Sequence, residues 1–255
     1  METDKILEKF TRQMRIEMSF PDMEKEVSAR VVRFSRPAPG MSQILYARLD
    51  EDTADAEIQS QIDSFTGREL PFSWKAYGYD TPSDLVERLA RHGFTPDPPD
   101  DVMVLDMVDT PSTLLAPPAG DVRQIEARHL GDVVQVLENV WGGNFNWVYQ
   151  RLGAHLAVPD YLSIFAAYID GQPGCAGWIY YHPGSEFASL WGGSTVPTMR
   201  NKGLYTAILA ARIQEARNRG IRYLVTDASP MSRPTLGKFG FFQLTTVVQC
   251  EYTGP

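Results

Sequence analysis

The chain has 255 residues, 24 of them lysine or arginine and 32 aspartate or glutamate, for a formal charge of −8. Its 43% hydrophobic and 22% charged residues are an ordinary globular mix, which excludes disordered, collagen-like and disulfide-framed chains. An acidic chain lacks the positive field that a phosphate backbone demands, so no nucleic-acid partner is expected, although a local basic loop can still hold a small anion.

Ile6, Leu7, Phe10, Met14 and Met18 recur at helical spacing and predict a leading amphipathic helix. Strands are predicted over 28–34 and 42–47, separated by Pro37-Ala38-Pro39-Gly40. A polar helix over 53–66 is expected to end at Gly67, with an aromatic strand following over 70–77. Thr81, before Pro82, reads as the cap of a helix over 82–92 that stops at Gly93. The two densest proline clusters, 95–101 and 109–120, flank the apolar strand Val102–Met107. The domain boundary is placed in the second cluster, dividing residues 1–115 from 116–255.

The second half opens with a helix over 126–140 and the aromatic segment Trp141-Gly-Gly-Asn-Phe-Asn-Trp147. A meander follows, Tyr161–Ile169, Cys175–Tyr181 and Glu186–Ser194, turning at Asp170-Gly171 and Pro183-Gly184. A helix then runs from Gly203 to about Arg219, with Leu204, Ile208 and Ala211 on one face. Ile221–Thr226 has no hairpin partner nearby, so it is expected to lie parallel to Glu186–Ser194. Leu89-Ala-Arg-His-Gly93-Phe94 also echoes Leu236-Gly-Lys-Phe-Gly240-Phe241. That echo is either a coincidence of common helix exits or the trace of a duplicated domain.

Cys175 and Cys250 are far apart and have no ligand-like neighbours, which fits a reducing cytoplasm and no metal site. Met1–Lys5 lacks the basic-then-apolar order of a secretory signal, and no run approaches the ~18 apolar residues of a membrane span. The chain is read as cytoplasmic, without a membrane partner.

The most informative stretch is Thr195-Val196-Pro197-Thr198-Met199-Arg200-Asn201-Lys202-Gly203-Leu204-Tyr205-Thr206, where a strand ends and a helix begins. N–H groups at a helix N-terminus are unsatisfied and carry about half a positive charge. With Gly203 allowing close approach and Arg200 and Lys202 adding charge, the turn suits a phosphate group. It also suits an ordinary strand-to-helix turn with a solvated basic surface.

Arg200-Asn-Lys-Gly203-Leu-Tyr205 resembles the Arg/Gln-x-x-Gly-x-Gly/Ala loop of the GNAT superfamily of N-acetyltransferases, which cradles the pyrophosphate of acetyl-coenzyme A. Val196-Pro197 before the loop is similar to that family's central motif. Asp227-Ala-Ser229-Pro-Met-Ser232, running on to Gly240-Phe241 and an expected final hairpin, is similar to its next motif. The resemblance covers 118–255 and implies an α/β (α+β) fold: a mixed, mostly antiparallel sheet flanked by helices, with a splayed parallel strand pair. It implies acetyl-coenzyme A as co-substrate, with Thr195, Val196, Arg200–Thr206 and Ser232 as its contacts. Two departures stand out: Tyr205 replaces the loop's last small residue, and Leu236 stands where the family often has a tyrosine that protonates the departing thiolate. The first half has a similar order of elements but reads Leu49-Asp-Glu-Asp-Thr-Ala-Asp55 where a phosphate loop belongs. Its carboxylates would repel a pyrophosphate, so residues 1–115 are read as a degenerate acetyltransferase-like domain.

Aminolysis of a thioester needs a neutral amine in line with the acyl carbon and a proton acceptor. The resemblance implies a carboxylate on the strand before the loop, which makes Glu186 the candidate base, unless it is a solvated turn residue. Asp227 is a second candidate, with capping as its other role; Ser229 is expected to contact the coenzyme or to cap the short helix. Backbone N–H groups near Ser194–Val196 are expected to polarise the thioester carbonyl. His92, His129, His155 and His182 are dispersed, and no catalytic role is expected of them. Trp141, Phe145 and Trp147, with Tyr149, fall in the family's substrate-facing region and can clasp an apolar or cationic amine, or simply pack in the core. The expectation is an N-acetyltransferase acting on a primary amine of a small molecule or a peptide. The alternative is an acyl-coenzyme A-binding module, regulatory or sensing, without catalysis.

Overall fold

A computed structural model describes residues 2–37 and 40–254; Ala38 and Pro39, in the proline turn predicted above, lie outside the described residues. In chain order the elements are α1 (Glu2–Phe10), β1 (Glu24–Val27), β2 (Val31–Ser35), β3 (Ser42–Ala47), α2 (Ala54–Thr66), β4 (Phe72–Tyr77), α3 (Leu85–Arg91), β5 (Phe94–Pro96) and β6 (Asp100–Asp106). They continue with α4 (Ser112–Leu115), β7 (Asp121–Gln124), α5 (Leu130–Trp141), α6 (Gly153–Leu156), β8 (Leu162–Ile169), β9 (Gln172–Tyr181) and β10 (Phe187–Thr195). The last are α7 (Leu204–Asn218), β11 (Tyr223–Ala228), α8 (Arg233–Lys238) and β12 (Phe242–Tyr252). The chain divides into two units, one of Met1–Met103, Asp227–Pro234 and Gln243–Pro255, the other of Val104–Thr226 and Thr235–Phe242. The change of unit falls inside β6 and not in the proline cluster near 115, and the C-terminal strand belongs with the N-terminal unit.

In the first unit the strands lie in the order β1-β2-β3-β4-β12, with β5 also on β12. Only β3 and β4 among the first four run parallel, Ser42 opposite Phe72 through Ile44 opposite Trp74, and α2 connects them. The core gathers Ile44, Ile58, Phe65, Phe72, Trp74, Leu89 and Phe94 with Cys250 of β12, and the Phe65 and Phe72 rings stack at 4.4 Å. β12 pairs antiparallel with β4 from Val247–Tyr77 to Glu251–Ser73. The expected final hairpin is therefore one unbroken strand, because 242–252 holds no Gly, Pro, Asn or Asp to turn it. The cap expected of Thr81 is also corrected: α3 begins after Asp84, and the Thr81 hydroxyl donates to the Leu49 carbonyl at 2.7 Å.

The β3–β4 ladder stops at Ile44–Trp74, although both strands continue for three residues. An ion pair fills the interval. Arg15 is fully buried; its Nε donates to the Leu45 carbonyl of β3 at 2.8 Å, and its two terminal nitrogens donate to Asp80 at 2.7 Å each. Asp80 in turn accepts the Tyr77 N–H of β4 at 3.0 Å. Burial alone would lower the affinity of Arg15 for its proton, but the Asp80 charge and hydrogen bonds outweigh it and the net shift is upward. The guanidinium also lies 4.0 Å over the Tyr77 ring.

The second unit orders its strands β11-β10-β9-β8-β7. β7, β8, β9 and β10 pair antiparallel, and β10 and β11 run parallel, joined through α7 as expected. Gly177 of β9 faces Ile208 and Arg212 of α7, whereas Trp178 packs into a core with Val133, Val136 and Leu137 of α5. Alternation along the strand thus puts α7 and α5 on opposite faces of this sheet.

Candidate active site

β10 and β11 pair at Phe187–Tyr223, Ala188–Leu224 and Ser189–Val225 and, among the described residues, at no later position. Beyond Ser189 the two strands part, and the Leu190 carbonyl is met by the Thr226 hydroxyl at 3.0 Å. On its other edge β10 carries one extra residue against β9 between Trp191 and Ser194. Gly192 makes this bulge possible. Its φ is +65°, and a Cβ there would sit 2.0 Å from Cζ3 of Trp178. The bulge takes carbonyls out of the ladder, and the fully buried Arg212 of α7 reaches them, Nη1 lying 3.4 Å from the Trp178 oxygen and 3.5 Å from that of Trp191. Desolvation lowers the Arg212 pKa, and the neighbouring Tyr205 opposes that fall.

Past Thr195 a single turn of 3-10 helix, Pro197–Met199, leads to Arg200, Asn201, Lys202 and Gly203, all exposed. Asn201 and Gly203 lie in the left-handed region, at φ +61° and +79°. Gly203 is the N-cap of α7 and provides no side-chain cap. The first helical bond runs from the Ala207 N–H to the Gly203 carbonyl at 2.9 Å, so the amides of Leu204, Tyr205 and Thr206 have no acceptor within the helix. A serine or aspartate here would satisfy them itself, whereas glycine leaves them for an external anion. A Cβ on Gly203 would meet no protein atom within 4 Å, so the space above it is open. The turn therefore fits a pyrophosphate. The Tyr205 ring does not obstruct it, because that ring lies against β10, where a Cβ on Gly193 would come 2.9 Å from Cε2.

Residues 134–241 match the Acetyltransferase (GNAT) family. Over this segment the chain is similar to the GNAT acetyltransferases. The co-substrate of GNAT acetyltransferases is acetyl-coenzyme A, in keeping with the open turn before α7. A GCN5-related N-acetyltransferase from Kribbella flavida is similar in fold over 100% of this chain and 95% of its own, with a TM-score of 0.68 at 15% identity. A tandem GNAT protein from the clavulanic acid biosynthesis pathway is similar over 94% of this chain and 86% of its own, with a TM-score of 0.64 at 13% identity. A functionally unknown conserved protein from Staphylococcus epidermidis ATCC 12228 has a TM-score of 0.69 at 12% identity, over 92% of this chain and 96% of its own. No curated protein matches the sequence. No helix among the described residues is long and apolar enough to cross a membrane.

Within the GNAT segment the structure brings together Thr195 and Arg200–Thr206, and Arg200 folds back to donate from Nε to the Thr195 carbonyl at 3.3 Å. The Val196 N–H, expected to face the thioester, is instead bound to the Gly174 carbonyl at 2.9 Å, because pairing with β9 resumes beyond the bulge. Glu186 precedes β10 at the closed end of the parallel pair, where its carbonyl accepts the N–H groups of Arg222 and Tyr223. Six residues of strand separate it from Gly192, about 20 Å, so the structure does not bring this carboxylate to the bulge. Ser232 and Asp227 fall in the first unit, where Ser232 hydrogen-bonds Ser229 and Asp227 is ion-paired with Lys75. Leu236 is buried. Phe145 packs half-buried against the core, whereas Trp141 and Trp147 are exposed.

Sequence reasoning missed Trp178, Trp191 and Arg212. The paired glycines Gly192-Gly193 inside a predicted strand were the available signal for a bulge. Arg212, four residues after Ile208 on the apolar face of α7, was the signal for a buried cation. His182, of which no catalytic role is expected, has a structural one. It is buried, its Nε2 lies 2.9 Å from the Ser189 Oγ, and desolvation lowers its pKa to about 4. Folded His182 therefore binds its proton less well than unfolded His182, and its contribution to stability is present above pH 6.5 and lost as the pH falls through about 4. Wild type is expected to lose about 3 kcal/mol more than His182→Gln between pH 7 and pH 4, measured by urea denaturation. Equal losses in the two proteins would contradict a buried neutral imidazole.

Proposed function

We propose that the second unit is an N-acetyltransferase that moves the acetyl group of acetyl-coenzyme A to a primary amine of a small molecule. The observation that carries this reading is the uncapped N-terminus of α7, with its exposed basic turn, beyond the end of β10, whose pairing with β11 stops at Ser189. The amides of Leu204–Thr206 would hold the pyrophosphate, with Arg200 and Lys202 supplying charge and Gly203 permitting close approach. Bound acetyl-coenzyme A supplies the acetyl group as an activated thioester. Past Ser189, where pairing with β11 ends, the backbone around Gly192 and Gly193 would orient that arm of the coenzyme, and Arg212 holds the bulge in place beneath it. Leu236 has no proton to give, so the departing thiolate takes one from water, and the hydroxide left behind takes the proton that the acylated amine nitrogen sheds.

The first unit is read as a degenerate duplicate. It repeats the parallel pair whose ladder ends early, but Arg15 and Asp80 bridge the interval. Asp50 binds the N–H and hydroxyl of Thr53 at the start of α2, and Asp55 pairs with Arg88 and His92. One acetyl-coenzyme A per chain follows. The echo between Leu89–Phe94 and Leu236–Phe241 supports duplication, since both leucines and both phenylalanines are buried and both glycines have positive φ.

The second reading, an acyl-coenzyme A-binding module without catalysis, is favoured by Leu236 alone. Free-thiol release from acetyl-coenzyme A over a panel of primary amines separates the two. The enzyme is expected to release thiol faster than background hydrolysis with at least one amine, and Gly203→Val to abolish that release. Tight binding without thiol release for any amine would favour the second reading.

A further inference from the structure

Four indoles gather around the Gly192 bulge on the α5 face of the second unit's sheet. Trp191 stands opposite Trp178 in the β9–β10 ladder, and the Trp147 ring is 6.3 Å from that of Trp178, inclined at 68°. Trp141, at the end of α5, donates from Nε1 to the Ser194 Oγ at 3.1 Å, one residue beyond Gly193. Trp178 is buried as the floor, yet Trp141, Trp147 and Trp191 are 65%, 41% and 48% exposed. Tryptophan is strongly buried on average, so three half-open indoles at one bulge form a surface built to be covered.

The chemistry of that surface is specific. The Trp191 N–H, like that of Trp141, is engaged by a serine hydroxyl, Ser189 at 3.0 Å. Both indole donors are thus spent on the protein, and what the half-open rings have left to offer is carbon surface. A polyvalent cation would need a cluster of carboxylates to offset its lost hydration. Five of the second unit's acidic side chains are engaged elsewhere: Asp106, Asp121, Asp160 and Glu215 face arginines, and Asp132 accepts the Tyr168 hydroxyl. Glu138, one helical turn before Trp141, is the one carboxylate in that turn of α5 and can balance a single charge.

Resting on the acetyltransferase reading above, we propose that the acceptor is a monoamine carried on a flat aromatic or fused-ring body, held against the rings of Trp191 and Trp147 at the Gly192 bulge. Ring stacking supplies the binding, and the amine projects toward the stretch of β10 past Ser189, where pairing with β11 ends. The test compares tryptamine and 2-phenylethylamine with spermidine and kanamycin by thiol release, in wild type, Trp191→Ala and Trp191→Phe. Acetyl-coenzyme A binding is measured separately by calorimetry. The aromatic amines are expected to have kcat/KM at least about tenfold above the polycations. Trp191→Ala should lower kcat/KM for the aromatic amines about tenfold and Trp191→Phe should restore most of it, with acetyl-coenzyme A affinity unchanged throughout. Preference for spermidine or kanamycin, indifference of the aromatic amines to Trp191→Ala, or acetyl-coenzyme A binding with neither aromatic amine accepted would overturn the proposal. A wild type that does not bind acetyl-coenzyme A would remove the acetyltransferase reading, and this proposal with it.

Discussion

Arg15→Ala is expected to cost about 3–5 kcal/mol of stability, because it leaves the Asp80 carboxylate buried without its partner. The pair is closed to solvent, with side-chain exposures of 0% and 4%, so no screening by water softens the loss. The Leu45 carbonyl also loses its donor, and the ring contact with Tyr77 disappears. In a protein of this length the melting temperature should fall by roughly 6–20 °C. The double variant Arg15→Met with Asp80→Asn should recover more than half of that loss, since the asparagine oxygen can still accept the Tyr77 N–H and neither side chain is charged. A fall of less than ~1 kcal/mol in Arg15→Ala would show that the pair does not bridge β3 and β4.

Gly203→Val is expected to lower acetyl-coenzyme A affinity at least about tenfold while leaving the fold in place. A non-glycine residue in the left-handed region costs about 1–2 kcal/mol, and a β-branched one tolerates it least. A Cβ added there meets no atom of another part of the chain within 4 Å, so the backbone term dominates the penalty to folding. Binding suffers more: the valine either fills the open space above the α7 amides or forces Gly203 out of the conformation that presents them. A thermal melt within a few degrees of wild type, together with lost affinity by equilibrium dialysis, is the expected pair of results. Unchanged affinity would place the coenzyme elsewhere.

The order of elements was legible because it rests on local signals. Gly67 ends a helix and Gly171 turns a hairpin where the sequence places them, and the parallel pairing of β10 with β11 follows from a strand with no nearby hairpin partner. The basic turn before α7 was legible for the same reason, since helix N-termini and left-handed glycines are written in a few adjacent residues. What the sequence hid is non-local. Nothing near Phe242–Tyr252 says that this strand pairs with β4, some 170 residues earlier by register, as Val247 opposite Tyr77. Arg15 reads as one more polar residue of a leading helix until Asp80 is placed beside it. Trp178 and Trp191 look like core residues of a meander, and only the bulge at Gly192 leaves Trp191 open to solvent. Glu186 shows the converse. It is a carboxylate next to the strand that leads to the loop, but it precedes β10, and the strand's length separates it from the bulge.

Titration of acetyl-coenzyme A into wild type and Gly203→Val by calorimetry tests the central claim most directly. Wild type is predicted to take up one equivalent per chain, and the variant to show no saturable binding in the same range. Two equivalents per chain would contradict the closed interval between β3 and β4, and undiminished binding by the variant, or none by wild type, would contradict the site at the N-terminus of α7.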